Sequence, residues 1–326
     1  MEKKARILRV AAVQMESRNG LIEANLEYAA DLVEQAVEKG AKLVLLPEFM
    51  PTGYMMTRAI WDAAEPKEGL TVRWLKENSR RLDVWLGTSF LEADGDDFFN
   101  TFVMTTPDGE EAGRVRKQTP AVFEAYFTRG DTGPHVIDTE FGRMGVGICY
   151  ENQLCYLPQM MYRQSVDMML MPHSAPTPMQ NPLCSREYVD FYDSVLRECA
   201  QRTACLLGVP AIMVNKCGPW QSPLPRPFTA QDSSFPGLSA IADSDRTVKV
   251  QLGDREGVIV EDVMLDPSRK AQAPPQCWGR WAIEVPWQAR AFRAVEAFGR
   301  LSYTFSSERS KRAREISSAR DREAEK

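Results

Sequence analysis

The sequence predicts an α/β fold, on three observations. Strand-like and helix-like segments alternate, the same helix-then-strand order returns several times, and 44% of the 326 residues are apolar, enough for a large core. The first fifty residues read strand, helix, strand. ILRVAAVQM is apolar and β-prone, ANLEYAADLVEQAVEKG carries apolar residues at helical spacing, and AKLVLLPEF is a near-continuous apolar run. Gly40 stands where a helix C-terminus wants a residue tolerant of positive φ. TVRWLKENSRRLDVWLGTSFLEADG repeats helix, strand and turn, and NTFVMTTPDGEEAGRVRKQT reads as two strands about a PDGEE turn. LPQMMYRQSVDMMLMPHSAPTP adds a helix and a strand that ends in a proline-rich loop. VDFYDSVLRECAQRTACLLGVPAIMVNKCG is a further helix and strand, and FPGLSAIADSDRTVKVQLGDREGVIVEDVML reads as antiparallel strands. No repeat of fixed period is present. One catalytic-sized domain is expected over residues 1–285. Residues 286–326 begin amphipathic and end charged, as an oligomer-docking helical arm or a solvated or disordered tail does.

Composition excludes several function classes. With 40 Lys and Arg against 45 Asp and Glu, net charge −5, the chain has no overall electrostatic reason to bind nucleic acid. The tail intersperses acidic with basic residues and ends without an aromatic platform. MEKKARILRVAAVQM mimics a signal peptide superficially, but Arg9, Gln14 and Glu16 interrupt it, and a first strand is expected instead. No apolar stretch is long enough to cross a bilayer, which predicts a soluble, cytoplasmic protein with no membrane partner. Seven scattered cysteines read as reduced thiols rather than a disulfide framework. The two histidines form no zinc spacing, and Cys149 and Cys155 are too far apart for a CxxC redox pair, so neither metal nor cofactor is expected.

Reactive residue types stand at segment ends. LLPEF places Glu48 after an apolar run, RVRKQTPAVFE places Lys117 at a strand end with Glu124 beyond it, and GVGICYENQ presents Cys149. Taken singly, Glu48 and Lys117 read as surface charge and Cys149 as a buried small hydrophobe. Together they read differently. Gly145 and Gly147 permit close backbone approach, and polar Glu151, Asn152 and Gln153 follow Cys149 at once, which fits a sharp strand-to-helix turn exposing a nucleophile. A thiol needs a base; with no histidine at a diagnostic spacing, a desolvated carboxylate can take its proton and a lysine can stabilise the developing oxyanion.

At this point the sequence resembles the nitrilase superfamily of carbon-nitrogen hydrolases. The segments around Glu48, Lys117 and Cys149 stand in that family's order, AAVQM, FPGLSAIADSD and EGVIVEDV look like family segments, and the likeness covers about residues 7–266. The resemblance implies an α-β-β-α sandwich, with Glu48 as general base, Lys117 as oxyanion stabiliser and Cys149 as a nucleophile forming a thioester or thioimidate. It implies that Glu124 orients Lys117 or helps proton transfer, and that the Tyr150 N–H joins the oxyanion hole. Tyr54 and the stretch His173, Ser174, Ala175 would line the substrate site, although Tyr54 could pack in the core and His173 could be a satisfied loop histidine. Glu151 is expected to bond the nucleophile's turn, and His135 to do no chemistry. A cofactor-independent hydrolase of a small amide or carbamoyl substrate is expected, working as a homodimer or higher homo-oligomer. Two alternatives stand beside it, a nitrilase and a catalytically silent structural member. CYEN and the Lys117 to Glu124 spacing favour nitriles; Tyr150 in place of tryptophan, and no histidine after His173, favour amides.

Overall fold

A computed structural model describes residues 4–181 and 184–318 of the chain. Side-chain alternation along the strands decides its layers. On β1 (Arg6–Gln14) Leu8, Val10 and Ala12 enter one core while Ala11 and Val13 enter another, and β2 (Leu43–Leu45) divides Leu43 and Leu45 from Val44 in the same way. A strand buried on both faces has no polar side, which is why these segments read as continuous apolar runs.

The first sheet runs β14-β1-β2-β3-β4-β5, with β3 (Trp85–Asp94), β4 (Asp97–Thr105), β5 (Glu111–Arg116) and β14 (Gly257–Leu265) beside the first two. The chain's late strand β14 pairs antiparallel with β1 from Arg6↔Leu265 to Gln14↔Gly257, while β1, β2 and β3 are parallel. The second sheet runs β13-β12-β9-β8-β7-β6, built from β6 (Val136–Thr139), β7 (Gly142–Val146), β8 (Met168–Pro172), β9 (Ala211–Val214), β12 (Ala240–Ala242) and β13 (Val248–Gln251). Its β7, β8 and β9 are parallel. A hairpin of β10 (Cys217–Ser222) and β11 (Gln231–Pro236), absent from the sequence reading, stands apart from both.

Helices α1 (Ile22–Glu38) and α2 (Leu70–Leu82) cover the outer face of the first sheet through Leu26, Ala29, Val33, Val72 and Leu75. On the second sheet the cover is α3 (Tyr156–Arg163) and α5 (Cys199–Leu207), through Leu157, Met161, Ala200 and Ala204. The result is the α-β-β-α sandwich. The helix expected across VDFYDSVLRECAQRTACLL is two, α4 (Arg186–Arg197) and α5, meeting at Glu198 without a glycine or proline to mark the break.

One expectation changes. Cys155 and Cys277 form a disulfide across a separation of 122 residues, because the bridge Leu154↔Trp281 and the bond from Cys155 N to Arg280 O (2.8 Å) bring those segments side by side. Linear spacing is blind to such a pairing; the other five cysteines are free thiols. The C-terminal segment, expected as a helical arm or a solvated or disordered tail, is helical as far as Ser317. It forms α6 (Trp287–Thr304) and α7 (Ser307–Ser317), held to the body by Tyr303 Oη, which accepts from Phe98 N at 2.8 Å, by the pairing of Arg314 with Asp96, and by burial of Ala313. Residues 319–326 lie outside the described residues. Among the described residues no helix is long and apolar enough to cross a membrane.

Candidate active site

Glu48 follows β2, Cys149 follows β7, Ser174 follows β8 and Lys117 follows β5. The first three sit beyond the carboxyl ends of parallel strands, where sheets of this class present their ligands. Lys117 Nζ lies 2.7 Å from Glu48 Oε1 and 2.6 Å from Glu124 Oε2. Asn100 on β4 binds the same two carboxylates, its Nδ2 at 2.7 Å from Glu48 Oε1 and 3.0 Å from Glu124 Oε1. The second oxygen of Glu48 accepts from Ser174 N at 2.7 Å. Glu48 and Glu124 are fully enclosed and Cys149 is only 6% exposed, so any substrate is largely desolvated when it meets the thiol.

Enclosure sets the charges. Burial raises the Cys149 thiol well above the ordinary cysteine value, and the Glu48 carboxylate pushes it further up against the opposing pull of Lys117 and the Ser174 N–H. The resting thiol is therefore protonated and needs an acceptor. For Lys117 burial pulls downward, but Glu124 and Glu48 outweigh it and hold the ammonium well above the usual lysine value. Burial and the neighbouring Glu48 raise Glu124, with Lys117 opposing them. The geometry can thus supply a permanent cation, two carboxylates and a protonated thiol in one dry space.

The turn that carries Cys149 is tightly anchored. Cys149 has φ +54°, a left-handed conformation that a non-glycine residue holds only under constraint. Gly147 makes room for it: a Cβ there would lie 2.2 Å from Asn152 Oδ1, and Asn152 Nδ2 donates to the carbonyls of Gly147 and Cys149 at 2.8 and 3.0 Å. Glu151 ties the turn to the Lys117 segment. Its carboxylate accepts from Ile148 N (3.1 Å), Gln118 N (2.7 Å), Thr119 N (3.2 Å) and Tyr156 Oη (2.5 Å), and faces His135 Nε2 at 3.2 Å. Burial favours its neutral form, yet His135 and Tyr156 win and hold it below the usual carboxylate range. Replacing it strands several buried donors. Glu151→Ala is expected to lower unfolding stability by about 3–5 kcal/mol, the scale for removing one member of a buried charged network. Urea denaturation checks this, and a loss under about 1 kcal/mol contradicts the structural role assigned to Glu151.

The other anticipated residues divide. Tyr54 packs among Phe49, Trp220 and Phe235, and its hydroxyl is raised by burial and by Glu124, Glu48 and Cys149. His173 has protein partners at both ring nitrogens. Its Nδ1 bonds Met171 O at 2.9 Å, its Nε2 faces Cys199 Sγ at 3.9 Å, and burial lowers it to about 4, so it is a neutral core histidine. Ser174 is likewise taken up by protein, with its N–H on the Glu48 carboxylate and its Oγ on Glu48 O. Both hold the Glu48 segment, since Glu48 N also donates to His173 O at 3.3 Å.

Sequence reasoning missed Asn100, Lys216 and Tyr192. Asn100 sits in a strand where a polar residue looks like ordinary alternation. The fully buried Lys216 donates to Phe49 O at 2.8 Å, which braces the residue after Glu48, itself at φ +47°. Tyr192 comes from α4, and its hydroxyl is raised by burial and by the nearby Cys149. Among the described residues no group of three or more His, Cys, Asp or Glu is arranged to hold a metal ion.

A family model described as carbon-nitrogen hydrolase matches residues 9–272. The chain belongs to the carbon-nitrogen hydrolase family. An N-carbamoylputrescine amidase of Solanum lycopersicum is 27% identical over 298 residues, which cover 88% of this chain and 95% of that protein. The carbon-nitrogen hydrolase from Helicobacter pylori G27 shares the fold with a TM-score of 0.71 at 22% identity, covering 81% of this chain and 91% of that one. A variant of the amidase from Nesterenkonia sp. AN1 superposes with a TM-score of 0.63 at 19% identity, covering 80% and 91%; its structure shows the acetamide moiety of fluoroacetamide added covalently to its active-site cysteine. As a carbon-nitrogen hydrolase, this chain is an enzyme whose sandwich is the family's fold.

Proposed function

We propose that this carbon-nitrogen hydrolase cleaves a small amide or carbamoyl substrate through a thioester on Cys149. The observation that carries the reading is the convergence of Glu48 and Glu124 on the Lys117 ammonium beside a protonated thiol. Glu48 takes the thiol proton as Sγ attacks the carbonyl carbon. An ammonium has three donors; among the described residues two are engaged by carboxylates, which aims the third at the new oxyanion together with the Tyr150 N–H. Collapse of the tetrahedral intermediate breaks the carbon-nitrogen bond as Glu48 returns its proton to the leaving nitrogen. Water then attacks the thioester, giving up a proton to Glu48, and the acid leaves as the thiol re-forms. Glu124 holds Lys117 in place throughout. Likeness to an N-carbamoylputrescine amidase over most of both chains supports a carbamoylated amine as the substrate class.

Matched panels of carbamoylated amines, simple amides and nitriles test this by ammonia or amine release. Turnover of the first two supports the reading; turnover of nitriles alone replaces it with a nitrilase, and silence in every panel with an unreactive Cys149 replaces it with the structural member.

Homo-oligomer formation belongs to the same reading. On α6 and its C-terminal cap the residues Trp287, Ala291, Ala294, Phe298, Leu301 and Phe305 recur at alternating spacings of four and three on the exposed side, and Phe298 and Phe305 are 67% and 82% exposed. Such a seam normally packs against another helix. The double substitution of Phe298→Glu and Leu301→Glu is expected to shift the assembly toward monomer in light scattering over a dilution series. An unchanged mass distribution removes the seam from the interface.

A further inference from the structure

The C-terminal helix lies beyond residues 9–272, the part matched to the family, yet it touches both turns that carry reactive groups. At Gly299 it meets the turn of Glu124 so closely that a Cβ would stand 2.7 Å from the Tyr126 ring and 3.0 Å from the Ala125 Cβ. Three residues earlier, Glu296 is 1% exposed. Its Oε1 accepts from the Tyr150 hydroxyl at 2.7 Å and its Oε2 from Arg280 at 2.9 Å. Tyr150 is the residue after Cys149, and its ring packs edge-on against Trp281 at 5.8 Å. The segment around Trp281 is laced to the same turn, with Ala282 N donating to Gln153 O at 2.8 Å and Cys155 N to Arg280 O at 2.8 Å.

We infer that Glu296 is a positioning residue, which fixes the strained Cys149 turn through the Tyr150 hydroxyl while Arg280 balances its charge. The inference rests on Cys149 being the nucleophile. A left-handed non-glycine residue keeps its place only when its surroundings over-determine it. Asn152 and Glu151 grip the turn from inside the sandwich; Glu296 grips it from the C-terminal arm. A buried carboxylate with two strong donors is stiff, since moving it breaks charged hydrogen bonds in a dry setting. Displacing a nucleophile by about 1 Å can cost about 100-fold in rate.

The test uses the full-length chain with Tyr150→Phe, Glu296→Ala and the double variant. Each single change is expected to lower kcat about tenfold or more with KM changed less than about threefold, as loss of transition-state geometry does. The rate at which iodoacetamide alkylates Cys149 falls with it. Because one residue acts through the other, the double variant is no worse than the poorer single one. Tyr303→Phe, which loosens the far end of the same helix at Phe98, lowers thermal stability and leaves kcat per folded molecule unchanged. Wild-type kcat and alkylation in Tyr150→Phe overturn the inference, as do additive losses that track stability. Should Glu296→Ala not fold, Tyr150→Phe decides alone, since it removes one hydroxyl. If instead Cys149→Ala keeps full turnover, the nucleophile assignment itself has failed, an outcome separate from these.

Discussion

Cys149→Ala is expected to abolish turnover and to leave the fold in place. The substitution removes one sulfur from a site that is already closed, and deleting a buried group of that size costs about 1 kcal/mol. No other thiol can stand in for it. Cys184 bonds Asn181, Cys199 faces the His173 ring, Cys217 pairs on the β10–β11 hairpin, and Cys205 is exposed on α5. In the proposed mechanism the remaining apparatus then has nothing to form a thioester with. The loss is therefore expected to reach background, in contrast to the partial losses that follow when only an orienting group is removed. Ammonia or amine release measures the first half, and thermal unfolding the second. Mass spectrometry after a haloacetamide supplies the intermediate step: one adduct on Cys149 in the wild type, none there in the variant. Retained turnover in a folded Cys149→Ala protein sinks the thioester mechanism, whatever the substrate.

Part of the candidate site was legible because Glu48 and Cys149 follow apolar strands, and a strand buried on both faces is conspicuous in a sequence. Lys117 was less marked, since it follows the polar, partly exposed β5, while the polar Glu151, Asn152 and Gln153 betray the sharp turn after Cys149. Glu151 was readable as the turn's anchor since a carboxylate three residues into a helical turn can reach back to its start, and it does reach Ile148 N. What escaped notice depends on long-range packing. Asn100 looks like any polar strand residue until β4 brings it under two carboxylates contributed 52 and 24 positions away. Glu296 sits in a helix whose alternation of arginine, alanine and aromatics reads as amphipathic on one side only; that its other side would close on Tyr150, 146 residues earlier, has no local signature. His173 was open to two readings, a substrate contact or a satisfied loop histidine. Its position after a strand allowed either, and the ring turns into the core and bonds Met171 two residues back.

The second large effect concerns Lys117, where catalysis and stability are bound together. Lys117→Ala is expected to reduce kcat by at least about 100-fold, the loss that follows removal of one oxyanion donor. It also leaves Glu48 and Glu124 without the cation that lies 2.7 and 2.6 Å from them, in a place where neither can be solvated. Breaking a buried pair in this way costs about 3–5 kcal/mol. The sign of its pH dependence is determined. In the wild type Glu124 is already raised from 4.5 by burial and by Glu48, with Lys117 holding it down. Without the ammonium one carboxyl of the pair rises further, so in the window above 4.5 the folded variant keeps a proton that the unfolded chain has released. Stability of the variant then falls as pH rises through that raised value and recovers as pH drops toward 4.5. Urea midpoints of wild type and variant, compared at pH steps between about 5 and 8, read this directly as a gap that widens with pH. A gap independent of pH means that Lys117 contributes packing alone and that the two carboxylates do not share its charge. Normal turnover in the folded variant removes it from the oxyanion site. The measurements are separable, because added Lys117→Met, which restores side-chain volume without charge, recovers packing but neither the donor nor the pH dependence of the wild type.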